Sequence, residues 1–398
     1  MNSNYPAYKE SLSSLTECAA ERLAKSADGI KKWVELVRPK DGLQGRFCWA
    51  EQTTREANVA STSYVLGGLR KMGIFNDVIT PEDKKEGIVW VQSMHMGNEQ
   101  YWDTALCNRK TPEWPQGEPW PSPFMQVGMN QYAQGVLRAY GIEDLPPAPP
   151  PEGIPRMEEA DKAIEWVKSQ SWNKNPWSAG SHSIRMATWL LQWYKEGHIC
   201  IDPLIKVLKF FYEIQDKETG LWGGKDIPWY EQINGTFKLF PLIREQLDLP
   251  LPHANDIIDC VMNEFYREDY DRAVGACDEW DNWYVIALAL EKAEDYDIEK
   301  IKKMAAYRII RILDIFSKKD GGMSYYPDCC QTNWIGFDMA PAVPQSDVMG
   351  IGVLSAGVNV CIDILNMNKE TPWTGIWRMR EKEPLELRKY IESLIFNY

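Results

Sequence analysis

The sequence lacks the features that mark several large classes of protein. Its 398 residues carry a formal net charge of −13, which disfavours nucleic acid and anionic membranes as partners, because both attract basic surfaces. No run approaches the roughly 18 apolar residues that predict a membrane span, and the first residues contain no apolar core of a secretory signal. We therefore expect a cytoplasmic protein with no membrane span and no nucleic-acid partner.

Metal-binding and disulfide patterns are also missing from the sequence. The nine cysteines are scattered, no Cys-x-x-Cys pair occurs, and the whole chain has only four histidines. An odd number of unclustered cysteines predicts free thiols in a reducing compartment rather than a disulfide framework. Because no motif has the ligand spacing of a zinc site, we expect no metal and no cofactor.

What the sequence does contain is a repeated pair of helices. Six segments with one polar face alternate with six segments that are apolar all round and rich in small residues. The polar-faced segments begin near residues 14, 80, 157, 202, 254 and 297, and the apolar segments begin near residues 57, 128, 181, 234, 281 and 347. An extra helix is predicted after Pro384. Asp202 and Ser181 are predicted N-caps, because Asp and Ser favour that position.

The alternation of two helix types predicts the architecture. A helix that is apolar on every side must be buried on every side, and a ring of helix pairs provides that environment for its inner members. Almost no segment shows the period-two pattern of a strand. The proline-rich stretch at 146–155 indicates a stiff loop, because the repeat continues through it. We therefore predict an all-α protein, an (α/α)6 toroid in which residues 1–398 form one domain.

A loop motif supports the same architecture. Gln215, Gly220 and Trp222 resemble the Gln-x-Gly-x-Trp repeat of terpenoid cyclases and protein prenyltransferases, and a second copy has Lys318 or Lys319 for the glutamine and Tyr325 for the tryptophan. The resemblance implies the toroid. It implies no particular chemistry, because the acid and diphosphate-binding motifs of those enzymes are absent from the sequence, and fold alone does not determine function.

The loops before the six apolar helices are expected to meet around a central cavity, and they hold the candidate residues. Three carboxylates, Asp278, Glu279 and Asp281, directly precede an apolar run. One helix cap requires fewer carboxylates, and a carboxyl among aromatic rings has a raised pKa that suits an acid catalyst. The predicted catalytic residues are Asp278, Asp281, Glu231, His182, Tyr325 and Asp347. The predicted substrate-binding residues are Trp49, Glu51, Trp120, Phe124, Arg185, Trp229, Tyr230, Trp280, Tyr326, Gln331 and Trp334.

Three functions fit this set of residues. The first is a lyase or isomerase that uses acid/base catalysis on an isoprenoid-like alcohol or alkene without diphosphate, since aromatic faces stabilise cationic character. The second is a carbohydrate-active enzyme, a glycosidase, polysaccharide lyase or epimerase, since tryptophans stack on sugars and paired carboxylates cleave glycosides. The third is a non-catalytic binding toroid. The expected partner is a small molecule or an oligosaccharide, and a homo-oligomer is compatible with the sequence.

Overall fold

The computed structural model describes residues 5–97, 100–107, 122–146, 150, 153–224, 226–334 and 337–396, with the backbone alone at residues 107 and 122–126. The described residues are mostly helical, as predicted, and their strands form one two-stranded antiparallel sheet. The α-helices are α1 (Leu12–Leu36), α2 (Val59–Lys71), α3 (Phe75–Val78), α4 (Pro81–Gln92), α5 (Thr104–Cys107), α6 (Ser122–Ala139), α7 (Ala163–Lys168), α8 (Pro176–Lys195), α9 (Asp202–Glu213), α10 (Trp229–Phe240), α11 (Ala254–Phe265), α12 (Tyr270–Ala273), α13 (Ala276–Leu290), α14 (Ile298–Phe316), α15 (Val348–Leu365) and α16 (Leu385–Phe396).

The remaining regular elements are short. Two 3-10 helices span Pro6–Tyr8 and Met157–Lys162, and a π-helical turn, Pro241–Gln246, continues α10. Strands β1 (Asn333–Trp334) and β2 (Phe337–Asp338) pair in the loop before α15. These strands shape only that loop, so the packing of the protein is decided by its helices.

The predicted helix pairs are present. The polar-faced segments form α1, α4, α7, α9, α11 and α14, and the apolar segments form α2, α6, α8, α10, α13 and α15, here called the inner helices. Along the chain, α2 packs against α6, α8 against α10, α10 against α13, α13 against α15, and α15 back against α2. Between α6 and α8, the Arg185 guanidinium donates a hydrogen bond to the Gln131 side chain at 3.0 Å.

Two predicted N-caps are wrong, and α6, α10 and α13 begin at residues 122, 229 and 276, earlier than predicted. Helix α8 begins at Pro176, where Asn175 caps the backbone N–H of Ser178 at 2.9 Å, so Ser181 lies inside the helix. Proline favours the first helical position, so the helix begins more than a turn closer to the N-terminus than predicted. Asp202 is the first residue of α9 and makes no cap hydrogen bond. Asp347 does cap α15 by accepting a hydrogen bond from the N–H of Gly350.

The Gln-x-Gly-x-Trp motif stabilises a turn after α9. The side-chain amide of Gln215 donates to the carbonyl of Gly220 at 2.8 Å, and the indole N–H of Trp222 donates to the carbonyl of Phe211 at 2.6 Å. Gly220 has φ +71° with side chains packed where a Cβ would project, so glycine is required there. An isolated β-bridge joins Gln215 to Trp222 in the first copy, and the corresponding bridge in the second copy joins Ser317 to Met323. Ser317 and Met323 therefore hold the glutamine and tryptophan positions of the second copy, rather than Lys318 or Lys319 and Tyr325.

The two ends of the inner helices are built differently. At the N-terminal end, a bridge between Ala50 and Asp347 joins the loops before α2 and α15. At the C-terminal end, residues 373–383, here called the strap, cross from one inner helix to the next. Their contacts reach the carbonyl of Lys71, the carboxylates of Asp363 and Glu245, and the ammonium of Lys195. The strap therefore covers the C-terminal ends of several inner helices.

One described helix has the length and composition of a membrane span. It is α15, whose 18-residue window has a mean hydropathy of 2.0, and 83% of that window is buried inside the protein. It contacts α2, α13 and α14, so its apolar surface is used in helix packing.

Candidate active site

The three carboxylates at the start of α13 have three different environments. Asp278 accepts a hydrogen bond from the backbone N–H of Gly275 at 2.8 Å and forms the capping box of the helix. Glu279 is fully buried and forms an ion pair with the equally buried Arg308 of α14. Asp281 is only 2% exposed, and its Oδ2 atom has no hydrogen-bond partner in the described part of the chain. Asp278 and Glu279 are therefore engaged in holding the helix, and Asp281 is available for chemistry.

The surroundings of Asp281 favour its neutral form. Burial raises the pKa of this carboxyl well above its usual range, the charge of Asp278 raises the pKa further, and the charge of Lys238 on α10 lowers it by less. The Lys238 ammonium lies 4.6 Å from the ring centroid of Phe237 and 5.3 Å from that of Trp177. A carboxyl that stays protonated near neutral pH can act as a general acid.

Several side chains near Asp281 line an interior cavity. Tyr64, Tyr132, Cys277 and Tyr325 lie so deep in the protein that burial is the main cause of their raised pKa values. All four side chains nevertheless keep some solvent-accessible surface. Side chains that are deep and still accessible face a space inside the protein. These four come from α2, α6, α13 and the loop before α15, so the space lies among the inner helices.

The wall of this cavity is largely aromatic. The hydroxyl groups of Tyr64 and Tyr132 are hydrogen-bonded to each other at 2.8 Å. Trp334 packs against Tyr132 with ring centroids 5.5 Å apart and against Trp49 at 6.2 Å. The indole N–H of Trp49 donates to the backbone carbonyl of Gln331 at 3.0 Å. The predicted residues Trp49 and Trp334 are thereby brought together.

Cys277 and Tyr325 form a second polar group beside Asp281. Cys277 lies four residues before Asp281, so both project from one face of α13. Burial raises the pKa of the Cys277 thiol to about 12, and the nearby Tyr325 hydroxyl lowers it by less. The thiol is therefore protonated at neutral pH. Tyr326, next along the chain, packs on Tyr325 at 4.7 Å and is exposed.

Asp347 has a strong architectural role. Its buried carboxylate accepts hydrogen bonds from the backbone N–H groups of Tyr325 at 2.7 Å, Gln331 at 2.9 Å and Gly350 at 2.9 Å. Burial raises the pKa of Asp347 to about 6, against the opposing effect of these hydrogen bonds. Asp347 therefore fixes the loop that presents Tyr325 to the cavity. The Oε1 atom of Gln331 is buried without a partner.

His182 and Arg185 both lie on α8, but their side chains contact different parts of the protein. The Nδ1 atom of His182 lies 3.2 Å from the Oε1 atom of Gln170, and its ring packs near Trp166 of α7. The pKa of His182 is lowered to about 4 by burial and then by the charge of Arg185. The helix start does not contribute to this lowering of the pKa, because His182 lies inside α8. Burial also lowers the pKa of Arg185 to about 10.

The first turn of α10 carries an exposed aromatic pair. Trp229 is 41% exposed and Tyr230 is 43% exposed, and the Tyr230 hydroxyl donates to Glu231 at 3.2 Å. Further along α10, Phe237 packs on Trp280 of α13 with ring centroids 4.8 Å apart, and the buried indole N–H of Trp280 has no partner among the described residues. This turn therefore offers stacking surfaces beside a carboxylate.

The other predicted residues contribute less to the described geometry. Glu51 is exposed in the loop before α2. Trp120 lies outside the described residues, as does the side chain of Phe124.

The predicted site residues do not include Tyr64, Tyr132, Cys277 or Lys238. Helical spacing would have placed Cys277 with Asp281. No local signal pairs Tyr64 with Tyr132, because they are 68 residues apart.

The described side chains provide acids, hydroxyls and aromatic faces rather than a ligand set. Within the described ranges, no group of three or more His, Cys, Asp or Glu residues could hold a metal ion. The chain matches no known family, no curated protein and no solved structure.

Proposed function

We propose that the inner helices close into the inner ring of an (α/α)6 toroid, formed by one domain over residues 1–398. The support is the order of helix contacts, in which each inner helix meets the next along the chain, and α15 returns to α2. The hydrogen bond from Arg185 to Gln131 links the remaining neighbours, α8 and α6. This proposed architecture resembles that of terpenoid cyclases. In such a toroid, Asp281 on α13 would lie at the wall of a central cavity.

We propose that the protein is a lyase or isomerase that uses Asp281 as its general acid. The observation that carries this proposal is a buried carboxyl with a free oxygen, kept neutral by its surroundings, in a helix that borders an aromatic cavity. The substrate is an isoprenoid-like alcohol or alkene without diphosphate. Positioned acid/base groups contribute about 10²–10⁴-fold to such reactions.

The reaction follows from the groups present. The Asp281 carboxyl donates its proton to the substrate hydroxyl, the C–O bond breaks with both electrons going to the departing water, and a carbocation remains. Aromatic faces such as those of Tyr64 and Trp334 stabilise the cation. The Asp281 carboxylate, stabilised by the charge of Lys238, then removes a proton from the adjacent carbon, which forms the alkene and restores the acid.

A carbohydrate-active enzyme is the second candidate. The observation in its favour is the exposed pair Trp229 and Tyr230 beside Glu231. Aromatic faces at an entrance bind sugar rings, and Glu231 with Asp281 would supply the two carboxyl groups that glycoside cleavage requires. A non-catalytic binding toroid, the third candidate, has no use for a buried acid with a free oxygen.

The test combines ligand binding with one substitution. Short terpene alcohols and neutral or acidic oligosaccharides are screened by thermal shift, since a ligand at about 100 times its Kd adds about 2.7 kcal/mol of stability. Turnover of the stabilising ligand is then measured for Asp281→Asn and for the exposed control Asp202→Asn.

We expect a terpene alcohol to stabilise the protein, Asp281→Asn to lose at least 100-fold in turnover, and Asp202→Asn to retain it. Full turnover in Asp281→Asn would refute the proposed acid. A shift produced only by oligosaccharides would favour the second candidate, in which Glu231→Gln is inactive as well. Binding without any turnover by the unmodified protein would favour the third.

A further inference from the structure

The inner surface of α2 carries a lysine that has no counter-charge among the residues the structure describes. Helical residues advance by about 100° each, so Tyr64, Gly67 and Lys71 lie on one face of α2, between the sides that meet α6 and α15. Tyr64 faces the cavity, as its contacts with Tyr132 and Trp49 show. Lys71 therefore faces the same interior space, about two turns nearer the C-terminal end of the helix.

The described residues leave space beside Lys71. Apart from the backbone of α2 itself, the one described heavy atom within 4 Å of a Cβ added to Gly67 would be the Nζ of Lys71, at 3.7 Å. Gly67 and Lys71 both keep accessible surface, although Lys71 lies deep in the protein. The small residue on α2 thus leaves room next to an ammonium group, and that room belongs to the interior cavity.

The strap closes this end of the cavity. Both the backbone N–H and the hydroxyl of Thr374 donate to the carbonyl of Lys71 at 2.9 Å, and the carbonyl of Pro372 packs where a Cβ of Gly73 would lie. The main chain that carries Lys71 is therefore pinned under the strap. The ammonium points back along α2 towards Gly67, into the cavity.

No described carboxylate compensates the charge of Lys71. Among the described residues, its ammonium makes no ion pair and no hydrogen bond, and burial is the only influence on its pKa, which falls to about 8. At neutral pH most of this amine is still protonated. A buried cation without a partner is costly, and a ligand that brings its own negative charge into the cavity removes that cost.

We propose that Lys71 is an anchor for the carboxylate end of the substrate. A single ammonium matches a single negative charge, so a carboxylate fits better than a diphosphate group. With the carboxylate at Lys71, the substrate chain extends along α2 towards Tyr64, beside the face of α13 that carries Asp281. This inference rests on the proposed function for the cavity and makes its substrate class a hydroxy or unsaturated acid of isoprenoid-like length.

The test compares two eight-carbon probes, one that ends in a carboxylate and one that ends in a neutral hydroxyl. Binding of octanoate and of 1-octanol is measured by calorimetry at pH 7 for the unmodified protein, for Lys71→Met and for the control Lys206→Met, whose exposed lysine lies on α9. Methionine keeps an unbranched side chain that is one atom shorter, and it removes the charge. Lys71→Met should fold, because it removes an unpaired buried cation.

We expect the unmodified protein and Lys206→Met to bind octanoate at least tenfold more tightly than 1-octanol, and Lys71→Met to lose that preference. An unchanged preference in Lys71→Met, or no preference in the unmodified protein, overturns the inference. Neither result depends on turnover, so failure here is distinguishable from failure of the Asp281 mechanism. Conversely, an Asp281→Asn variant that loses turnover but still binds octanoate would show that Asp281 acts in the chemistry and Lys71 in binding.

Discussion

Replacing Asp281 by asparagine should make the protein more stable, by an amount that grows with pH. In the unfolded chain this carboxyl ionises above about pH 4, whereas burial keeps it protonated in the folded protein. Folding must then take up a proton, and the cost rises by about 1.4 kcal/mol for each pH unit until the folded pKa is reached. A group with a raised folded pKa stabilises the fold at low pH and loses that contribution as pH rises.

The magnitude can be measured between pH 4.5 and pH 6.5. Asparagine has nearly the same shape and cannot ionise, so its advantage over Asp281 should grow by about 1.4 kcal/mol for each pH unit over which the folded carboxyl stays protonated. Urea unfolding is followed by tryptophan fluorescence at three pH values, with equal slopes against urea confirming that the unfolded states are comparable. Most other titrations are shared by the two proteins and cancel in the difference.

The control is Asp202→Asn, which removes an exposed carboxyl at the start of α9. It should show no such trend, so that a general effect of losing one carboxyl is separated from the effect of burial. A difference between Asp281→Asn and the unmodified protein that stays constant with pH would refute the reasoning. Destabilisation by Asp281→Asn that stays constant across this pH range would show instead an ionised Asp281 paired with Lys238, because a folded pKa below the unfolded one changes stability only at lower pH.

Three further substitutions test other charges. Lys71→Met should stabilise the protein by about 3 kcal/mol at pH 7, because the lysine pKa falls from 10.5 to about 8 on folding, and this gain should vanish as pH rises from 8 to 10.5 in urea titrations. Asp248→Asn should destabilise by about 2 kcal/mol at pH 7, since four surrounding cations lower that pKa to about 2; the loss should disappear in unfolding measurements as pH falls from about 4 to 2. Glu279→Gln should cost about 3 kcal/mol in the same assay, because Asp271 would be the one described ionic partner left to Arg308; a cost below about 1 kcal/mol would contradict this role.

The sequence by itself determined the helices and their two classes. Hydrophobic periodicity depends on residues three and four apart, and a helix satisfies its backbone hydrogen bonds within the same short range. For this reason the apolar segments near residues 57, 281 and 347 emerge as α2, α13 and α15, and Asp347 caps as its type predicts. Local reasoning failed at the start of α8, where the competing signal of Asn175 and Pro176 lies one and a half turns upstream.

Only the tertiary structure decided what each polar residue does. The adjacent carboxylates of α13 look equivalent in the sequence, and they differ because Arg308 reaches one and Lys238 approaches another from helices 29 and 43 residues away. Lys71 looks like an ordinary basic residue in the last turn of a helix, where cations favour the helix dipole. Burial and the absence of a described counter-charge follow from the packing of other helices and the strap around it, which short-range patterns do not encode.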